Sequence, residues 1–253
     1  MTPSAAAIRW LRTGALLVLL LALAASAGTR DFAQAAFPGT NGKIAFVERD
    51  GLNAEIWTMN PDGSERQQIT ANGAFSTMPS VSPDGGNILY MNFPPANDNF
   101  SLHEVSIGTR DDILIPNSVN ADSARWSPDA SQIAFDFPTQ VQSVETMDVW
   151  TLTAADGTRT DLTNTSSTDE YQPAWSPDGT KIAYTQKIAN CQSCRSDLYV
   201  MNANGTGRKQ LTNLAASSES RPDWSPDGLS LVFDVSSDGN AFHIARIDAD
   251  GSH

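Results

Sequence analysis

An all-β fold, a β-propeller of about five four-stranded blades, is predicted by three features of the chain. A short motif returns at near-constant spacing, an apolar triplet follows each copy, and no 3.6-residue hydrophobic pattern is sustained after residue 36. The motif Trp175-Ser-Pro-Asp-Gly179 recurs as Trp224-Ser-Pro-Asp-Gly228, as Trp126-Ser-Pro-Asp-Ala130 and, with its Trp replaced, as Val81-Ser-Pro-Asp-Gly85; Asn41-Gly42 is a weaker echo. Its aspartates stand at 84, 129, 178 and 227, steps of 45, 49 and 49 residues. Helix-pair arrays and propellers share such periods, so the pattern inside the unit decides.

Each motif leads into Ile44-Ala-Phe46, Ile88-Leu-Tyr90, Ile133-Ala-Phe135, Ile182-Ala-Tyr184 or Leu231-Val-Phe233. These runs are too short and too aromatic for helices. As strands they place large side chains on one face and a small one on the other. Both faces are apolar, which suits a sheet packed between two others. A second run follows: Ile56-Trp-Thr-Met59, Leu102-His-Glu-Val105, Val149-Trp-Thr-Leu152, Leu198-Tyr-Val-Met201 and Ile244-Ala-Arg-Ile247. Turns such as Asn60-Pro-Asp-Gly63 and Asn202-Ala-Asn-Gly205 come next, with residues that tolerate positive φ. A last short strand ends in Gln68-Ile-Thr70, Asp161-Leu-Thr163 or Gln210-Leu-Thr212. Radial four-stranded blades leave only short sheet edges, the propeller solution.

Labelling the strands of a unit A to D gives eighteen. The first unit has B to D, with Ala36 to Thr40 as a candidate vestigial A strand, and the last has A to C. His253 follows an Asp-Gly turn where a D strand is expected. Either the last blade closes through another pairing or the ring is incomplete, and an open strand edge is a pairing liability.

Residues 1–35 read as a secretory signal peptide: Arg9 and Arg12, an apolar core from Ala15 to Ala25, and cleavage candidates after Ala27 or Ala35. The apolar core is shorter than the roughly 20 residues a membrane span needs. Residues 36–253 form the expected propeller domain. The whole chain has net charge −13; losing Arg9, Arg12, Arg30 and Asp31 with the signal leaves −15. That charge disfavours nucleic acid, whose phosphates need basic partners. It suits a basic protein face or an acidic soluble export.

The units Asp197-Leu-Tyr-Val-Met-Asn-Ala-Asn-Gly-Thr-Gly-Arg-Lys-Gln-Leu-Thr212 and Pro173-Ala-Trp-Ser-Pro-Asp-Gly-Thr-Lys-Ile-Ala-Tyr184 resemble the propeller repeats of the TolB family. The resemblance covers residues 37–253. It implies an exported, non-enzymatic protein-interaction or scaffold propeller, periplasmic, envelope-associated or extracellular, with another protein as partner and no cofactor. TolB-like propellers have six blades behind a small α/β domain, for which the sequence before Lys43 leaves no room. The repeats also resemble the propeller of prolyl-oligopeptidase-like enzymes. The alternative readings are therefore a lyase-like carbohydrate-active propeller or the remnant of a peptidase propeller.

Within such a fold Asp84, Asp129, Asp178 and Asp227 are expected to accept turn hydrogen bonds, and Trp126, Trp175 and Trp224 to pack between blades. Ala130 suggests that one turn manages without a residue suited to positive φ. No metal-ligand spacing involves His103, His243 or His253, and no nucleophile elbow or phosphate loop occurs. Cys191-Gln-Ser-Cys194 reads as a local disulfide, with metal or redox use and free thiols as alternatives. Binding is expected in the loops entering the A strands, through Asp122, Arg125, Asp169, Glu170, Tyr171, Glu219 and Arg221. The competing role for Glu170 and Glu219 is a salt bridge or turn cap.

Overall fold

The structure is a computed structural model that describes residues 42–252 apart from 52, 96–98, 142–143, 192–193, 215–216 and 238–240. The expected signal peptide, the stretch Ala36–Thr40 and His253 lie outside the described residues. Among the described residues there are eighteen strands and no helix. No helix among them is long and apolar enough to cross a membrane.

The first sheet holds β1 (Ile44–Asp50), β2 (Asn53–Met59) and β3 (Gln67–Gln68). The second holds β4 (Phe75–Val81), β5 (Asn87–Phe93), β6 (Ser101–Ser106) and β7 (Asp112–Leu114). One parallel contact, Ala54 with Phe75, joins the two. The third runs β8 (Asp122–Trp126), β9 (Gln132–Val141), β10 (Val144–Thr153) and β11 (Arg159–Asp161). The fourth runs β12 (Thr168–Trp175), β13 (Lys181–Ile188), β14 (Ser196–Asn202) and β15 (Lys209–Gln210). The last has β16 (Ser218–Trp224), β17 (Ser230–Ser236) and β18 (His243–Asp248). Neighbours within each sheet follow chain order and are antiparallel. Strands β4, β8, β12 and β16 lie against one another. These are propeller blades with their first strands innermost.

At the last two joints, size alternation along the second strand determines how the blades stack. Ile182 and Tyr184 face back into a cluster with Ala134, Val149 and Trp175. Ala183 faces forward into one with Trp224, Leu231 and Phe233. A small residue on one blade thus receives the large ones of the next. Trp126, Trp175 and Trp224 are all buried at these joints.

The motif turns are built alike. Ser176 Oγ donates to Asp178 Oδ1 at 2.6 Å, the Thr180 N–H donates to the same oxygen at 3.0 Å, and the Lys181 N–H donates back to Ser176 Oγ at 2.9 Å. Asp84, Asp129 and Asp227 each accept from Ser82, Ser127 and Ser225 at 2.6 Å. Those serine hydroxyls hold all three carboxyls below the usual aspartate range. The turns also stack, since a Cβ on Gly179 would lie 3.7 Å from Pro128 Cδ, and one on Gly228 3.7 Å from Pro177 Cδ. As expected, the turn at Ala130 manages without a glycine. Its turn does demand positive φ, and alanine adopts +58° there. A left-handed alanine costs about 1–2 kcal/mol, partly offset by the larger unfolded-state entropy of glycine. Ala130→Gly is therefore expected to stabilise by about 1 kcal/mol, raising Tm by about 2–4 °C in thermal unfolding.

Candidate functional site

Each inner strand carries a bulge at the same place. Pairing register slips between Thr77 and Ser80, Asp122 and Arg125, Tyr171 and Ala174, and Ser220 and Asp223. One non-glycine residue inside each slip is left-handed: Met78, Ser123, Gln172 and Arg221, at φ of 53°, 51°, 54° and 53°. Strain of this kind persists only where the surroundings hold it. The bulge turns a peptide N–H out of its own ladder, and at two joints the preceding sheet accepts it. Gln172 N donates to Asp136 Oδ1 at 3.0 Å, and Arg221 N to Gln172 Oε1 at 3.0 Å. Thr185 Oγ1 fixes the same Gln172 oxygen at 3.2 Å.

Charges gather around these bulges. Arg125 keeps solvent access on the inner strand β8 while protein walls it, and its Nη1 donates to Ala124 O at 2.9 Å. Burial lowers its pKa, opposed by the charges of Asp223, Asp136 and Asp122. Asp136 is buried, and its pKa is pushed up to about 7 by that burial and then by the neighbouring Asp122 charge. Burial also raises Asp122 and Asp223, with Arg125 pulling both back. Arg221 Nη1 pairs with Asp234 Oδ2 at 2.8 Å, and its guanidinium carbon lies 5.6 Å from the Phe242 ring centre.

Six of the seven residues expected from the entry loops divide into two groups, with Tyr171 apart. Asp122, Arg125 and Arg221 meet the inner-strand charges. Asp169, Glu170 and Glu219 instead tie structure together in the interior. Asp169 Oδ1 accepts the Met147 N–H of the preceding sheet at 3.1 Å. Glu170 is fully buried and accepts from Thr165 Oγ1 at 3.0 Å. Burial, with the charge of Asp148, pushes its carboxyl up to about 7. Glu219, equally buried, accepts from Ser217 Oγ at 2.6 Å and Thr212 Oγ1 at 3.2 Å. Tyr171 lies half-buried with Lys187 Nζ 5.3 Å from its ring centre.

Sequence reading missed Asp136, Asp234, Gln172 and Asp223. The first two had a usable signal: each directly follows the apolar triplet of its repeat, the place from which Asp136 reaches the next blade's bulge and Asp234 the bulge of its own. Gln172 and Asp223 had none, because a bulge is not visible in the pattern.

The histidines do not join this site. His103 Nδ1 lies 3.0 Å from Asp112 Oδ1 in the second sheet, and Tyr90 OH donates to Asp112 Oδ2 at 2.6 Å. His243 is exposed at the start of β18. Among the described residues no group of three or more His, Cys, Asp or Glu has metal-holding geometry. Cys191 and Cys194 form a disulfide with Cα atoms 5.3 Å apart. A cleft of 460 Å³ lies elsewhere, between the motif turns of the last two sheets, lined by Pro177, Asp178, Trp224 and Leu229.

A family profile described as the TolB beta propeller domain matches residues 34–253. The chain belongs to the TolB beta propeller family. A Tol-Pal system protein TolB from Anaplasma marginale (strain St. Maries) is 34% identical over 70 residues, 27% of this chain and 16% of that protein. Among solved structures, this TolB-type propeller is similar to TolB from Acinetobacter baumannii, with TM-score 0.69 and 18% identity over 86% of this chain and 53% of that one. It is similar also to an oligogalacturonate lyase in complex with manganese, with TM-score 0.62 and 16% identity over 87% of this chain and 62% of that one. The chain spans about half the length of the Acinetobacter structure. At these identities the structural likenesses show the fold.

Proposed function

We propose that this chain is a non-catalytic, exported propeller that binds another protein through the charged inner face built from Arg125, Asp122, Asp223 and Arg221. The observation that carries this reading is Arg125: a guanidinium open to solvent, ringed by carboxylates, beside bulges strained in the same way on four blades. Membership of the TolB beta propeller family supports a protein partner in the cell envelope. The residue 1–35 pattern and the Cys191–Cys194 disulfide support export to an oxidising compartment.

The test is cross-linking of the exported protein in the envelope of the cells that produce it. Arg125→Glu combined with Arg221→Glu is expected to cut partner cross-linking at least tenfold, about 1.4 kcal/mol. Glu170→Gln, deep in a blade joint, is expected to leave it intact. Cross-linking unchanged in the double variant would overturn the site. Turnover of oligogalacturonate by the purified chain with Mn2+ would overturn the non-catalytic reading.

A further inference from the structure

The bulged peptides of the inner strands do not all find the same kind of acceptor, and the difference traces to one position in the repeat. The residue after the apolar triplet is Met91, Asp136, Thr185 and Asp234 in successive units. Asp136 meets the bulge of the next blade directly, its Oδ1 accepting the Gln172 N–H at 3.0 Å. Met91 offers only a thioether, a weak acceptor, and the Ser123 N–H turns to Asp122 Oδ1 of its own strand at 2.6 Å. Thr185 is short and buried, and its hydroxyl is spent as a donor. At that joint a second side chain does the accepting: Gln172 Oε1 takes the Arg221 N–H at 3.0 Å, braced by Thr185 Oγ1 at 3.2 Å.

Gln172 is therefore used twice. The third sheet holds its backbone N–H and its amide oxygen holds the last sheet, so the bulges of β12 and β16 are tied in series. What hangs on the second tie is Arg221. Its φ of 53° is a left-handed state that persists only where neighbours impose it. A bulge re-aims the side chain it carries, because φ sets the direction in which Cβ leaves the backbone. The far end of that side chain pairs with Asp234 Oδ2 at 2.8 Å and stays 62% exposed. Asp234 lies across the ladder from Ser220, so it fixes where the guanidinium ends but not the peptide from which the side chain starts.

We infer that Gln172 is the positioning residue of the inner face: by holding the Arg221 N–H it keeps the bulge of β16 left-handed and aims Arg221 at the partner. The inference rests on the charged inner face being the binding surface. Gln172 acts through Arg221 and needs no contact with the partner. Thr185 acts one step further back, by fixing the oxygen that does the holding.

The test has two arms on the exported protein: hydrogen exchange read by NMR at the Arg221 amide, and partner cross-linking in the envelope. Gln172→Met keeps the length of the side chain and removes the acceptor. It is expected to speed Arg221 exchange at least tenfold while the amide of Tyr184, in the core, exchanges as before. Gln172→Glu keeps an oxygen in place and is expected to leave the Arg221 amide protected. Thr185→Val removes the brace alone and is expected to speed Arg221 exchange about two- to threefold, so it reads the same bond if the methionine variant fails to fold. In the second arm Gln172→Met is expected to lower cross-linking about five- to tenfold, the worth of one hydrogen bond, and to add nothing once Arg221 is replaced by alanine. General damage to the blades would instead add to the alanine change. Arg221 exchange unchanged in the Gln172→Met and Thr185→Val variants, a glutamate variant as unprotected as the methionine one, or equal cross-linking losses with and without Arg221 would overturn the positioning role. If Arg125→Glu with Arg221→Glu leaves cross-linking intact, the inner-face reading falls and the binding half of this inference with it, while the exchange arm still decides whether Gln172 sets the bulge.

Discussion

Trp175→Ala is expected to destabilise the domain by about 3–5 kcal/mol, the usual cost of emptying a buried tryptophan site. Trp175 closes the joint between the third and fourth sheets against Ala134, Val149, Ile182 and Tyr184. Neighbouring blades meet through such wedges, so the loss falls on two sheets at once. Tm should drop by about 10 °C or more in a thermal melt followed by circular dichroism. The phenylalanine variants refine the point. Trp224 Nε1 donates to Ala174 O at 3.0 Å, whereas the buried Trp175 Nε1 has no partner among the described residues. Trp224→Phe should therefore cost about 1 kcal/mol more than Trp175→Phe. Equal costs for the two would show that the indole nitrogen contributes nothing at either joint.

The second large effect is a stability that falls as pH rises from acid to neutral. Asp136 and Glu170 are buried and hold their protons up to about 7, against ordinary values of 3.8 and 4.5. Asp136 faces the negative Asp122; Glu170 faces Asp148, with Arg208 partly opposing. Glu219 shifts the same way through burial, next to Asp197. A carboxyl raised in the folded state stabilises fully below its unfolded pKa and loses that contribution as pH climbs through the folded value. For Asp136 and Glu170 the window runs from about pH 4 to 7, with an upper limit of about 3–4 kcal/mol each. The motif aspartates act in reverse: lowered in the fold, they contribute above about pH 4 and lose that contribution below it. Tm is thus expected to peak near pH 4–5 and to decline toward pH 8. Asp136→Asn, which keeps an acceptor for Gln172, should flatten that decline. A Tm that climbs from pH 5 to pH 8 would contradict the assignment.

Much of this fold was legible because propeller repeats state the same physics several times. One Trp-Ser-Pro-Asp-Gly copy would be ambiguous, but four related copies, each followed by an apolar triplet whose middle residue is alanine at Ala134 and Ala183, define the hairpins and the direction in which the faces pack. The candidate site was less legible. Glu170 and Glu219 read as charged entry-loop residues in the sequence, which marks them for binding, yet they lie on β12 and β16, where nearby threonine and serine hydroxyls draw them inside. Gln172 looks neutral and ordinary, and only the bulge makes its amide oxygen the acceptor for Arg221 N. Ala130 shows the converse: its place in the repeat, rather than its residue type, marks a left-handed turn.

The stacked motif turns have a consequence for how such a molecule can diversify. The proline-on-glycine contacts, Pro128 against Gly179 and Pro177 against Gly228, pack neighbouring motif turns on one another, so an insertion in either turn would have to break that contact. The connections between second and third strands, at the opposite end, vary from the two residues between β1 and β2 to the seven between β13 and β14. One rim of the propeller is thus a fixed clamp and the other a free margin. New recognition can be written into the margin, by lengthening or recharging single loops, without the blades having to shift against one another.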